Sequence, residues 1–202
     1  MEEKESNVME NRRSIRKYID QKVSHDQIKA IVKAASLAPS AKNRQPWKYL
    51  VYEGEAKEEL LLAMERGLEK EKKEHCLLPG SAFALPGAFQ TLSIMREAPV
   101  TIIVMDPDGR SPYEPVNADE RLAEICDSLS IGASIQNMLL KATQLGLGTL
   151  WIANTCFAYN DMVEVIPSKG QLIGAVAVGY AAEKTYPRPR KKLEEILEYV
   201  RK

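Results

Sequence analysis

Apolar positions recur along this chain with two different periods, and the changes of period mark its elements. After Ser24, residues Ile28, Ile31, Val32 and Ala35 are spaced i, i+3, i+4 and i+7, the stripe of an amphipathic helix. Ser24 followed three residues later by Gln27 reads as a capping box, so the helix starts there and is expected to end near Ala38-Pro39. A short helix over about residues 5–12 precedes it. Trp47 to Glu53 mixes aromatic and β-branched residues and predicts a strand. Residues 55–75 are charged, with Leu60, Met64 and Leu68 on one face, and predict a surface helix. Val100 to Met105 is continuously apolar, as in a buried strand.

The longest periodic segment runs from Asp119 to about Leu145. Ile125, Leu129, Gly132, Ala133, Gln136, Leu139 and Leu140 put apolar and small side chains on most of its central surface. A helix this apolar belongs in the middle of the fold or in an interface. Gln136 and Asn137 cannot share a side, so one of them is read as a buried hydrogen-bonding residue. Gly146-Leu147-Gly148 ends the helix. A strand over Thr149 to Ala153, a short helix over about 158–165 and a strand from Leu172 to Tyr180 follow; Gly174 and Gly179 in the last imply close contact or a bend. Prolines extend residues 186–190, and a last helix is expected over about 192–201. Residues 76–95 have prolines, glycines and apolar residues without a clear period, and read equally as a mobile lid or as an irregular packed segment.

Four strands among these helices predict an α+β or three-layer domain, with a subunit interface available to complete the core. The 202 residues suit one domain spanning 1–202, and 45% hydrophobic residues suffice for a sizeable core. The formal net charge of zero argues against broad nucleic-acid binding but not against a local anion site or a dimer. No window approaches the roughly 18 apolar residues of a membrane span, and the charged amino terminus has no apolar signal region; the expectation is a soluble, cytoplasmic protein. Cys76, Cys126 and Cys156 are odd in number and widely spaced, which argues against a disulfide framework. His25 and His75 lack partners at metal-ligand spacing. Redox or group-transfer chemistry would therefore rest on a bound organic cofactor.

Local charge carries the strongest chemical signal. Arg12-Arg13-Ser14-Ile15-Arg16-Lys17 packs four cations and a hydroxyl into six positions. Guanidinium groups fork onto phosphate oxygens, and Ser14 can donate a further hydrogen bond. Such a cluster suits the terminal phosphate of a small ligand; it is equally the make-up of a solvated basic helix end.

Arg12 to Arg16, Ala38 to Trp47, Gly132 to Leu140 with Gly146 to Trp151, and Val178 to Tyr180 with Pro187 to Leu193, in order along nearly the whole chain, together resemble the nitroreductase family of FMN-dependent NAD(P)H oxidoreductases. Arg12-Arg13-Ser14-Ile15-Arg16 resembles the family's amino-terminal phosphate-binding stretch. Ala38-Pro39-Ser40-Ala41-Lys42-Asn43-Arg44-Gln45-Pro46-Trp47 resembles its Pro-Ser-x-x-Asn-x-Gln-Pro-Trp loop and is the more specific match. Gly132 to Leu140 with Gly146 to Trp151 resembles the central helix and following strand. Val178-Gly179-Tyr180 with Pro187 to Leu193 resembles the closing strand and basic tail.

The resemblance implies a three-layer α/β/α sandwich with a mixed, mainly antiparallel sheet, in a domain-intertwined homodimer with FMN at the subunit interface. It implies that Arg12, Arg13, Ser14 and Arg16 hold the FMN phosphate and ribityl chain, joined by Arg188 and Arg190. Pro39, Ser40 and Asn43 would border the isoalloxazine, and backbone at Trp151, Ile152 and Ala153 would approach its ring. Trp47 is read as core. The implied activity is ping-pong hydride transfer from NADH or NADPH, through FMN, to a nitroaromatic, a quinone or a similar acceptor. The protein itself need supply no acid, base or nucleophile, only orientation and electrostatic support, with Arg16 the first candidate and Lys42 the second. The variable segments within about 65–118 would shape the substrate face. No Glu-Tyr-Lys lid of the deiodinating members is visible, and the sequence does not separate dehalogenating or flavin-destroying members from the rest. A flavin-storing or flavin-sensing module, and a polyanion-binding protein using residues 12–17, are the readings from other classes.

Overall fold

The computed structural model describes residues 7–201. A five-stranded sheet organises the molecule, with helices on both faces. In chain order the elements are α1 (Val8–Asn11), β1 (Tyr18–Ile19), α2 (His25–Ser36), β2 (Lys48–Tyr52), α3 (Gly54–Glu74), α4 (Leu85–Glu97), β3 (Val100–Asp106), α5 (Ala118–Gln144), β4 (Gly148–Ile152), α6 (Tyr159–Val165) and β5 (Gln171–Ala181). Strand β5 lies at the centre and pairs antiparallel with β1, β3 and β4, while β2 pairs antiparallel with the far side of β3. The parallel component is an isolated bridge between Ser14 and Thr149.

Strand period explains the layers. Along β3, Val100, Ile102 and Val104 face one side and Ile103 and Met105 the other; along β5, Val176 and Val178 alternate with Ala175 and Ala177. The first set packs against α2 and α5, through Ile28, Ile31, Ile131, Ile135 and Met138. The second packs against α3, α4 and α6, through Leu60, Met64, Leu68, Leu92 and Met162. Both faces being covered, β3 is buried along its whole length and reads as a continuous apolar run. This is the three-layer α/β/α arrangement. Among the described residues, no helix is long and apolar enough to cross a membrane.

The helix starts follow their caps. The Ser24 side chain accepts from the Gln27 backbone and Gln27 reaches back, as expected. Helix α5 begins with a second such box that the sequence reading passed over, Asn117 with Glu120.

Three expectations need correction. Residues 76–95 are neither a lid nor irregular: a 3₁₀ turn over Pro79–Ala84 leads into α4, which buries Leu85, Ala88, Leu92, Ile94 and Met95. The buried Glu71 carboxylate fixes the turn before it, accepting from the backbone N–H groups of Cys76, Leu77 and Leu78 at 3.1, 2.9 and 2.9 Å. Burial alone would push its acid up, but those bonds together outweigh it and hold the acid below its ordinary value. Helix α3 is the amphipathic surface helix expected: Leu60, Met64 and Leu68 are buried, as is Leu61, while Leu62, Arg66 and Lys70 are exposed, and Lys57 Nζ donates to the carbonyls of Arg96 and Ala98 at the end of α4. The helix expected over 192–201 is reduced to a 3₁₀ turn at Leu193–Glu195. A fifth strand, β1, is present beside the four foreseen. The first helix covers Val8–Asn11 within the described residues; residues 5 and 6 of the expected span lie outside them.

Candidate functional site

The basic segment is fastened to the sheet by its backbone, which leaves its side chains free. Ile15 N donates to Thr149 O at 2.9 Å, and Tyr18 Oη donates to Ile15 O at 3.0 Å. Burial pushes the Tyr18 phenol above its ordinary range, so it stays a neutral donor. Two glycines paired across β4 and β5, Gly148 and Gly179, make room for this approach. A Cβ on Gly148 would lie 2.7 Å from Ile15 Cγ1, and one on Gly179 would lie 2.8 Å from Tyr18 Cδ1. The close contact expected at Gly179 is therefore real; its partners are Pro99, whose Cδ would lie 2.5 Å away, and Tyr18 in the segment that follows the arginines.

The tail returns to the same place. Ala182 N donates to Lys17 O at 2.9 Å, and Glu183 Oε1 accepts from the backbone N–H groups of Arg16 and Lys17 at 2.6 and 3.2 Å. Glu183 thereby ties the start of the tail to the basic segment, a role that no local pattern signals. The result is an open groove of about 990 Å³ that gathers Arg12, Arg13, Ser14, Arg16, Arg188 and Arg190, six of the twelve residues singled out from sequence. Met9, Glu10, Asn11, Glu183, Thr185, Tyr186 and Pro187 complete its lining.

The groove's charge is unbalanced. Five guanidiniums share it with the two carboxylates of Glu10 and Glu183. Among the described residues, the ion pairs that involve arginine use Arg44, Arg96, Arg110 and Arg121, and none of the five in the groove. Arg16 Nη1 donates to Ser14 O at 3.1 Å, and Arg13 Nη1 donates to Arg12 O at 2.9 Å and also to Glu10 O. Arg13 Nε is buried without a partner. Among the described residues these five cations have no carboxylate partner and one buried donor among them is unsatisfied, an arrangement whose chemistry suits a compact multivalent anion.

The other six predicted residues lie outside this groove. Pro39, Ser40 and Asn43 belong to the loop between α2 and β2, which leans on α5. Ala41 N donates to Ser130 Oγ at 3.3 Å, Gln45 N donates to Ser40 Oγ at 3.0 Å, and Arg44 Nη2 pairs with Asp127 Oδ2 at 3.0 Å. Lys42, Asn43 and Gln45 have φ of 53°, 55° and 51°, the left-handed region. For residues with a Cβ this costs on the order of 1 kcal/mol each. Arg44, Asp127 and Ser130 are site-forming residues that the sequence reading missed.

Beside the Arg44–Asp127 pair lies a polar cavity of about 220 Å³ whose lining includes Asp106, Gln171 and Glu120. Asp106 Oδ1 accepts from the backbone N–H groups of Asp108 and Gly109, each at 3.1 Å. Burial, with the nearby Asp127 carboxylate adding to it, still pushes the Asp106 carboxyl up from its ordinary value.

The third group, Trp151 to Ala153, ends β4. Trp151 is 44% exposed and stands over α5, where its Cη2 would be 3.8 Å from a Cβ on Gly132. Ile152 is buried, so only its backbone is offered, and Ala153 is exposed. The strip continues along α5 through Leu122, Ile125 and Leu129, all exposed. Of the paired amides, Asn137 faces inward and donates to Ala34 O at 3.3 Å, while Gln136 is exposed. Trp47 packs against the core, as expected. Among the described residues no group of three or more His, Cys, Asp or Glu could hold a metal ion, and all three cysteines are free.

The model of the nitroreductase family matches residues 9–180. The chain belongs to the nitroreductase family. A protein of Archaeoglobus fulgidus, provisionally named an NADH dehydrogenase/NAD(P)H nitroreductase, is 32% identical over 143 residues, which span 70% of this chain and 62% of that protein. This chain thus aligns with less than two thirds of that relative's length. A protein of Methanothermobacter thermautotrophicus with the same provisional name is 30% identical over 183 residues, 87% of this chain and 76% of that one. Among solved structures, a provisionally named nitroreductase of Desulfovibrio desulfuricans, in complex with FMN, superposes with a TM-score of 0.64 at 26% identity, over 98% of this chain and 96% of that one. In this chain Arg12, Arg13, Ser14, Arg16, Arg188 and Arg190 line one groove, and Pro39, Ser40, Asn43, Trp151, Ile152 and Ala153 lie outside it.

Proposed function

We propose that this member of the nitroreductase family is an FMN-dependent oxidoreductase that draws on NADH or NADPH. The carrying observation is the convergence of Arg12, Arg13, Ser14, Arg16, Arg188 and Arg190 on one groove whose guanidiniums have no carboxylate partner among the described residues. The residues fit the cofactor. A phosphomonoester carries about −1.5 to −2 charges near neutral pH and accepts several charge-assisted hydrogen bonds. The buried Arg13 Nε is a donor in want of such an acceptor. Bound there, FMN would supply hydride transfer from a reduced nicotinamide to an electron-poor acceptor, the two molecules exchanging at one face in ping-pong order.

This chain's own residues bind, orient and support. Arg12, Arg13 and Ser14 hold the phosphate, and Arg188 and Arg190 close over it from the tail. Arg16, fastened through its backbone to Glu183, is placed to lend positive charge toward the ring side, with Lys42 a second source from the loop. Pro39, Ser40 and Asn43, and the backbone from Trp151 to Ala153, would border the ring. The loop lies outside the arginine groove of its own chain, and α5 exposes Leu122, Ile125 and Leu129. Both observations support a homodimer in which each cofactor lies between subunits, one providing the arginines and the other the loop. The acceptor class proposed is nitroaromatic or quinone-like.

The test is an absorption spectrum of the purified protein followed by anaerobic NADH and then NADPH. Flavin bands that bleach with either nucleotide support the reading and identify the donor. Flavin that does not bleach points to storage or sensing. A colourless protein that takes up no added FMN overturns the proposal.

A further inference from the structure

The 39–46 loop holds three non-glycine residues in the left-handed region within four positions, and it contains no glycine. Such a conformation persists only where its surroundings over-determine it. Within the loop Ser40 Oγ accepts from Gln45 N at 3.0 Å; the two contacts that reach it from outside both come from one face of α5. Ser130 Oγ, turned by its own bond to Cys126 O at 2.7 Å, accepts from Ala41 N at the start of the left-handed run. One turn earlier, Asp127 holds the Arg44 guanidinium at 3.0 Å inside that run. The Asp127 side chain is only 6% exposed, and its Oδ1 is buried without a partner. An ion pair that leaves one carboxylate oxygen unsatisfied is a poor way to add stability. Its value lies in what it fixes.

We propose that Asp127 and Ser130 are positioning residues that clamp the 39–46 loop in its left-handed conformation and so present Pro39, Ser40 and Asn43 to the flavin ring. The flavin half of this statement rests on the function proposed above; the clamp itself does not. The clamp acts on the ring side of the cofactor and leaves the phosphate groove untouched. It therefore governs riboflavin and FMN alike, whereas Arg12, Arg13, Arg188 and Arg190 govern FMN alone.

The experiment compares the full-length protein with Asp127→Asn, which keeps shape and removes charge, and with Ser130→Ala, which removes a single hydroxyl. Three quantities are read: hydrogen exchange of the peptide covering 38–48, together with trypsin cleavage after the exposed Lys42 and Arg44; dissociation constants for FMN and for riboflavin; and the melting temperature. The clamp predicts exchange and cleavage in the loop faster by about tenfold, as for a local opening made easier by one charge-assisted bond. It also predicts about fivefold to tenfold weaker binding of both flavins by the same factor, with a melting temperature lowered by no more than a few degrees, because Arg44 is partly exposed and water can take the place of the lost partner. Unchanged exchange and cleavage in both variants overturns the clamp. A loosened loop with unchanged flavin affinities overturns the positioning role. A fall in melting temperature with flavin affinities intact reduces the pair to ordinary structure and overturns it too. If the unmodified protein binds neither flavin, the proposed function fails, and the exchange and cleavage data still decide the clamp. Should Asp127→Asn not fold, Ser130→Ala carries the same predictions.

Discussion

The arginine groove and the 39–46 loop both belong to the candidate site, yet they are built on opposite physical plans. In the groove the backbone is tied down by Thr149, Tyr18 and Glu183, and the guanidiniums have no carboxylate partner among the described residues. In the loop the one strong charge, Arg44, is committed to Asp127, and it is the backbone that is held in a costly conformation. The first plan suits a ligand that brings its own opposite charge. The second suits a flat, weakly charged ligand recognised by shape and by a few short polar groups. A phosphate and an aromatic ring joined in one molecule would require both.

The sharpest way to break the comparison is to remove charge from the groove. Arg13→Ala, and separately Arg12→Ala, should weaken FMN binding by about 10- to 100-fold, the loss of one or two charge-assisted hydrogen bonds. Riboflavin binding and the melting temperature of the flavin-free protein should stay near those of the parent. Fluorescence quenching titrations with both flavins check this, and equal losses for the two would deny the groove its phosphate. Next in size, Gly148→Val drives a side chain into Ile15, where even a Cβ would meet Cγ1 at 2.7 Å. Overpacking of this kind costs about 1–3 kcal/mol. In a chain of this length that is a fall of roughly 2–4 °C in melting temperature per kcal/mol. FMN affinity should fall as well, because Ile15 carries the arginines with it; a stability loss with intact FMN affinity would show that the segment's anchorage does not set the groove.

Smaller again is the double change Arg188→Ala with Arg190→Ala. Both side chains are exposed, so salt screens them: the Debye length shrinks from about 10 Å at 0.1 M to about 3 Å at 1 M. FMN binding should weaken about twofold to tenfold at low ionic strength, in line with about 0.2–1 kcal/mol for each exposed ionic contact, and hardly at all near 1 M salt. A deficit that persists at high salt would place the tail in direct, desolvated contact with the cofactor. That outcome would make the tail resemble Arg13 more than a solvated terminus.

How far each region could be read in advance follows from where its determinants lie. Arg12, Arg13, Ser14 and Arg16 were legible because four cations in six positions form a local pattern, whereas Arg188 and Arg190 were named only through the family resemblance, since a basic tail by itself looks solvated. The loop's motif was legible too, but its clamp was not: Arg44 and Asp127 are far apart in sequence, and an aspartate on a long helix looks solvated until the fold places it. Helix α4 was hidden by Pro79, Gly80, Pro86 and Gly87, which read as breakers. Yet Pro86 sits in the first turn, where a missing N–H costs nothing, and Leu85, Ala88, Leu92 and Met95 carry the helical spacing. The tail shows the converse. Leu193, Ile196, Leu197 and Val200 are spaced as a helix but remain exposed, and a short segment without a buried face gains too little to form one. The two-residue β1 offers no pattern at all; its pairing with Ala181 and Tyr180 is set by the neighbouring strands.

The weakest expected effect separates the loop's clamp from the cavity next to it. Asp106 is buried beside Asp127, and its carboxyl is pushed up by burial first and by charges that include Asp127. A carboxylate whose folded value lies above its unfolded one binds its proton more tightly when folded. It therefore opposes folding above the folded value, and the penalty is relieved as pH falls through that value toward the unfolded one. Asp106→Asn keeps an acceptor for the Asp108 and Gly109 N–H groups and removes the charge. It should raise the melting temperature at neutral pH, and the gain over the parent should shrink as pH is lowered toward 4, because the parent then neutralises the same group. Loop exchange over 38–48 should not change, since Asp106 holds no part of the loop. If Asp106→Asn loosened the loop as Asp127→Asn is expected to, the two aspartates would act as one unit, and the division between cavity and clamp would have to be withdrawn.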